Sequence, residues 1–203
     1  AKAQGAATGQ GLGSLRLFLN RPMLMLFLFM MLAAMANGGL NNFSVSVLVD
    51  AGRAEIASAN AILTGFFVAS ALGILIGGVL ADRMRRHETV VTLGLVVGAI
   101  ALVLLASASL TVPSIAAAFL VIGLVMGGVR PARDMMVQEV APKGSVGAVF
   151  GFVTVGLNVG GALSPVLFGW LIDQGRADWV FYGAALCLLL AIPLGWSGRK
   201  TTR

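Results

Sequence analysis

A chain of 203 residues with 58% hydrophobic and 11% charged side chains, and a mean hydropathy of +0.95, is excluded as a water-soluble domain, where about a quarter of residues carry charge. Its net charge of +6 does not signal nucleic acid, because the 14 basic residues sit in short clusters between apolar spans rather than on one face. One cysteine, Cys187, in an apolar run reads as a small hydrophobe, and the single histidine, His87, has neither Ser/His or Cys/His company nor metal-ligand spacing, so the composition indicates an integral membrane protein without a cofactor rather than an enzyme.

Residues 1–14 set Gly5, Gly9, Gly11 and Gly13 among small polar residues, a composition too poor in apolar surface to order itself. Ala1 opens the sequence without the basic start and short apolar core of a signal peptide, so this end reads as cut or processed. In 14–21, Leu15, Leu17, Phe18 and Leu19 between Arg16 and Arg21 suit the headgroup level, which makes 1–21 a Gly-rich linker and interfacial segment. The first span, 22–49, has 28 uncharged residues, but 36–42 is polar and Gly-containing, so the helix is expected to bend or unwind there. Asn37, Asn41 and Asn42 are candidates to line a solute cavity, because unpaired amides at membrane depth need protein or a hydrated space; interhelical hydrogen bonding is the equal alternative.

A tight loop with Arg53 leads into the second span, 56–81, in which Asn60 and Thr64 are further cavity candidates and Gly73 and Gly77 predict close helix contact. It ends abruptly in Gly78-Val-Leu-Ala-Asp-Arg-Met-Arg-Arg-His87, a short basic hairpin. The third span, 89–110, carries Gly94 and Gly98 for packing, and the fourth, 114–129, stops before Arg130 and Pro131. Arg130 and Asp134, one helical turn apart, form either an ion pair or an interfacial anchor. The fifth span, 145–172, has glycines at 147, 151, 156, 160 and 161 for helix approach, Pro165 for a kink, and the amide of Asn158. Trp170, Trp179 and Tyr182 bracket the next loop as an interfacial belt, and the sixth span, 179–196, precedes a basic tail at 197–203.

Alternate loops hold Lys2, Arg16 and Arg21, then Arg83, Arg85 and Arg86, then Arg130, Arg133 and Lys143, then Arg199, Lys200 and Arg203, while the opposite side holds only Arg53 and Arg176. This bias predicts six spans with both termini cytoplasmic. Gly78-Val-Leu-Ala-Asp82 also aligns with Gly169-Trp-Leu-Ile-Asp173 at a shift of 91 residues on the opposite side of the membrane, which predicts two three-helix units in inverted orientation.

The hairpin resembles the loop signature of the major facilitator superfamily of secondary transporters, G-x-L-A-D-R-x-G-R-[RK]: Gly78, Leu80, Ala81, Asp82, Arg83 and Arg86 match, Arg85 replaces Gly, and His87 replaces Lys or Arg. The resemblance covers roughly residues 15–198 and implies an all-α membrane protein, one six-helix bundle at 22–196, closer to the carboxyl-terminal half of such a transporter. It implies that Gly78, Asp82, Arg83 and Arg86 hold helix ends together at the cytoplasmic side and steady the outward-open state, with Arg85 in the Gly position altering the turn. It further implies alternating-access transport of a small organic solute or drug across a cell inner membrane, with a second six-helix half as partner. A homodimer of half-size transporters and a non-transporting scaffold subunit stand as the alternatives. No ionisable residue falls near the middle of any span, so ion coupling is expected to come from the partner bundle.

Overall fold

A computed structural model describes residues 20–84, 86–107, 110–142 and 144–197. The linker, most of the 14–21 segment, Arg85, Lys143 and the basic tail beyond Ser197 lie outside the described residues. Six helices follow one another: α1 Arg21–Asp50, α2 Ile56–Arg83, α3 His87–Ser107, α4 Val112–Val140, α5 Val146–Asp173 and α6 Trp179–Ser197. All six are long and apolar enough to cross a membrane, and no strand occurs among the described residues. Helices are the expected solution, since each satisfies its own backbone hydrogen bonds in a solvent that offers none.

The inverted repeat is built into the architecture. The starts of α1 and α4, α2 and α5, and α3 and α6 are Arg21 and Val112, Ile56 and Val146, and His87 and Trp179, offsets of 91, 90 and 92 residues. α4 packs along α2 and α5 along α1; α3 leans on α4 and α6 on α1; α3 and α6 meet each other. Exchanging the first three helices for the last three carries this set of pairings onto itself. Even the contacting faces keep register: Gly65, Ala69, Gly73 and Gly77 of α2 face α4, and Gly156, Gly160, Ser164 and Phe168 of α5, each 91 residues on, face α1. An edge-to-face aromatic chain ties the halves together, with Phe119 of α4 between Phe66 of α2 at 6.3 Å and Phe181 of α6 at 6.1 Å.

Several elements depart from the expectation. α1 is one unbroken helix through residues 36–42, because the polar stretch finds partners without unwinding: Asn37 Nδ2 donates to Ala33 O at 2.8 Å within its own helix, and Gly38 and Gly39 receive Ser164 and Phe168 of α5. α4 does not stop at Val129 but continues through Pro131 to Val140. A 16-residue span would reach only about 24 Å against a hydrocarbon core of about 30 Å, so the charged extension beyond it is helix emerging from the membrane. Of the α5 glycines, Gly156 and Gly160 meet α1, but Gly147, Gly151 and Gly161 face open space.

The loops at the end opposite the α2–α3 hairpin are tight for a local reason. Gly52 and Gly175 adopt left-handed φ of 64° and 69° after α1 and α5. Each lets the next residue donate back five positions, Arg53 N to Leu48 O at 2.9 Å and Arg176 N to Leu171 O at 3.0 Å. Trp170 and Trp179 stand exposed beside the second of these loops, with Arg176 5.7 Å above the Trp179 ring.

Candidate functional site

The polar residues of the spans fall into two groups. Asn37 and Asn41, one turn apart, lie along α1 near its contact with α5, where Ser164 is fully buried against Gly38. Asn37 Oδ1, Asn41 Oδ1 and Ser164 Oγ are buried without a hydrogen-bond partner in the protein. Each such atom costs about 1–3 kcal/mol while it stays unpaired, which sets these three residues apart from the other polar groups of the spans. The second group is exposed. Asn60 and Thr64 of α2 return their donors to their own helix, at Ile56 O and Asn60 O, both 2.9 Å, and Asn158 of α5 stands exposed one turn from Thr154, which donates to Phe150 O at 2.7 Å. Thr154 was not singled out in the sequence; its spacing of four from Asn158 is the signal that identifies it. Asn42 is exposed near the end of α1.

α2 and α5, symmetry mates, are the least buried helices: 33% and 22% of their apolar windows lie inside the bundle, against 44% for α1, α3 and α6. On α5 the uncovered side carries Gly147, Gly151, Thr154, Asn158 and Gly161 in one stripe, with exposed Val155, Val159 and Val166 beside it.

Both ends of the bundle are latched. At the hairpin end, Gly78 has open space around it, Asp82 and Arg83 are exposed in the last turn of α2, and Arg86 is exposed just before α3. His87 joins three helices there: its Nδ1 faces Glu139 Oε1 of α4 at 2.8 Å and its Nε2 faces Ala81 O of α2 at 3.0 Å. At the other end Arg53 donates to Leu105 O and Ala106 O, closing the carbonyl end of α3, and pairs with Asp178 at 3.1 Å. Asp178 and His87 are 91 residues apart, so each latch joins the start of a third helix to the end of the first helix of the other repeat. Neither latch was foreseen from the sequence. Of the two roles considered for Arg130 and Asp134, ion pair or interfacial anchor, the carboxylate's ion pair goes to the adjacent Arg133, whose Nε and Nη2 reach Asp134 Oδ1 at 3.3 and 3.2 Å.

Arg53→Gln is expected to lower the melting temperature of the purified protein. Two carbonyls of α3 lose a charged donor, about 1–3 kcal/mol, or several degrees for a chain of this size, while the ion pair to the part-exposed Asp178 adds little. Arg53→Lys restores only part of the loss. An unchanged melting curve shows that the loop holds α3 without this side chain.

Comparison with known proteins follows the same lines. The model of the Major Facilitator Superfamily matches residues 23–202. Multidrug resistance protein MdtH of Citrobacter koseri is 32% identical over 82 residues, covering 36% of this chain and 20% of that protein, and MdtH of Salmonella typhi is 33% identical over the same length and coverage. The peptide transporter POT in complex with sulfate superposes with a TM-score of 0.79 at 21% identity, over 89% of this chain and 38% of that one. A POT mutant in complex with alafosfalin gives 0.77 at 21% identity, over 87% and 38%. The matched stretches thus cover 20% of MdtH and 38% of POT. With the matching hairpin motif, the inverted repeat and a family match across nearly all six helices, the chain belongs to the Major Facilitator Superfamily.

Proposed function

We propose that this chain is one six-helix body of a secondary transporter, corresponding to the carboxyl-terminal half, that moves a small organic solute or drug through an inner membrane by alternating access against a second six-helix body. The observation that carries this reading is the exposed polar and glycine stripe of the two least buried helices, Gly147, Gly151, Thr154, Asn158 and Gly161 of α5 with Asn60 and Thr64 of α2, set beside exposed apolar residues such as Leu75 and Val166. Alternating access requires two bodies rocking about a site between them, and one bundle supplies one wall of that site. The likeness to multidrug resistance proteins supports a drug-like organic solute as cargo. Asp82, Arg83 and Arg86 serve one end state by tying helix ends at the cytoplasmic side, and Asn37, Asn41 and Asn42 line the cavity.

Reconstitution of residues 1–203 into liposomes tests the reading, with uptake of a fluorescent cation such as ethidium measured with and without a partner half and crosslinking to report oligomeric state. Uptake is expected only when two bundles are joined. Solute-specific uptake by demonstrable monomers overturns it, and uptake by crosslinked dimers of this chain alone makes the second body another copy.

A further inference from the structure

α2 and α3 are joined by a short hairpin yet barely touch each other, because each leans on α4. Between them the bundle leaves a groove of about 410 Å³. Ile76 and Leu80 of α2 with Met84 just past its end form one wall, Leu93 and Val97 of α3 the other, and Gly128 of α4 lies in its floor; every residue that lines it is apolar. The internal repeat supplies a control. In the other repeat, where α5 and α6 lean on α1, the ring of Phe168 is fully buried and sits against Gly39 of α1 and Gly183 of α6. Ninety-one residues earlier stands Gly77, with no side chain to place there. At that position Gly77 lies against the Gly128 backbone of α4, and the α2–α3 side keeps an open apolar groove with no ring of this chain in it.

Its dimensions and ends suit one kind of occupant. Along α2 the lining runs from Gly73 to Met84, about 16 Å of helix, which is half of a hydrocarbon core of about 30 Å and so the depth of one leaflet. The groove opens sideways, since Leu93 is 60% exposed and Ile76 59%, and this flank of a membrane-spanning bundle faces acyl chains. At its outer end Met84 is followed by the hairpin, where Arg83 and Arg86 are both exposed. Asp82 is exposed beside them, His87 is engaged with Glu139, and the hairpin from Asp82 to His87 remains net basic. An apolar slot one leaflet deep that ends at Met84, between the exposed Arg83 and Arg86 in the chain, suits a phospholipid with its tail in the slot and its anionic headgroup at the basic hairpin.

We propose that the α2–α3–α4 groove binds one acyl chain of an anionic phospholipid from the leaflet on the hairpin side, with Arg83 and Arg86 receiving its phosphate. Binding to the folded bundle alone stabilises it by mass action, so occupancy is read in melting as well as in mass.

The test uses the purified full chain in detergent, titrated with phosphatidylglycerol and, separately, phosphatidylcholine of the same acyl chains. Native mass spectrometry counts retained lipid, and thermal unfolding reports stabilisation. The wild type is expected to keep one phosphatidylglycerol at concentrations where phosphatidylcholine is lost, and to melt several degrees higher with it. Leu93→Trp, which fills the groove from an exposed position, weakens retention by about tenfold or more. Val97→Phe does the same from the deeper end and serves if the first variant folds poorly, as judged by helix content. The double variant Arg83→Gln with Arg86→Gln binds both lipids alike. Equal retention of phosphatidylglycerol by the wild type and a folded groove-filling variant overturns the site, and equal retention of the two lipids by the wild type overturns its anionic preference. Neither readout involves transport, so the lipid site and the transport reading fail independently.

Discussion

Gly127→Val is expected to abolish the folded bundle or to cost at least about 3 kcal/mol, the upper end of the overpacking range. A Cβ at Gly127 would overlap the carbonyl oxygen of Ser70 on α2, and one at Gly123, four residues earlier, would overlap that of Phe66. In return Gly73 and Gly77 of α2 bring their Cα atoms against the carbonyls of Leu124 and Gly128. Backbone cannot rotate out of the way as a side chain does, so the two helices must separate along their whole shared length. Within a bilayer that separation is costly, because lipid tails are as apolar as the side chains and close packing is what holds the helices together. Gly160→Val, which meets Met31 O of α1, places the same kind of backbone clash in the symmetry-related α5–α1 interface and behaves alike. Gly151→Ala, at an open position of α5, gains up to about 1 kcal/mol of helix propensity and leaves the isolated bundle intact. Thermal unfolding in detergent, read by helix content, separates the three. A Gly127→Val protein that melts with the wild type shows that α2 and α4 are not in backbone contact.

The contrast among these glycines shows what a sequence of this kind discloses. The six spans follow from hydropathy and length, and the inverted repeat was visible in one five-residue match because both copies close a second helix at the membrane surface. Spacing of four residues marks a small-residue stripe, but it does not give the stripe's phase against a neighbour, so Gly147 and Gly151 look the same as Gly156 and Gly160 until the helices are placed. The predicted break in α1 rested on the polar, Gly-containing stretch 36–42, whereas the helix runs on because Asn37 bonds back to the preceding turn and Ser164 and Phe168 pack on Gly38 and Gly39. The latches are of another kind. Arg53 reaches main-chain carbonyls 52 and 53 residues away, and His87 reaches Glu139 at a separation of 52, contacts that no local pattern encodes. The cavity candidates were legible only as amides at membrane depth, and the structure divides them into buried and exposed groups.

Asn41→Leu and Asn37→Leu are expected to leave the bundle as stable as before, or to raise its melting temperature by several degrees, while transport by the assembled protein falls by about tenfold or more. In the bundle each amide oxygen is buried without a protein partner, and the one amide donor that is engaged, Asn37 Nδ2, serves its own helix. Side chains that glued helices together would bond across the interface, and removing them would leave a partner unpaired and cost stability. Here an apolar residue of similar size removes an unpaired acceptor, about 1–3 kcal/mol each, so stability and activity move in opposite directions, the pattern of a site kept for function. The cavity reading also predicts access from water. In a Cys187→Ala background, cysteine at 37 or 41 reacts with a small membrane-impermeant thiol reagent in at least one conformational state. Leucine variants that melt lower yet transport normally, with both cysteines protected in every state, would assign these amides to packing and move the solute path to the exposed face of α5, where Thr154 and Asn158 stand one turn apart.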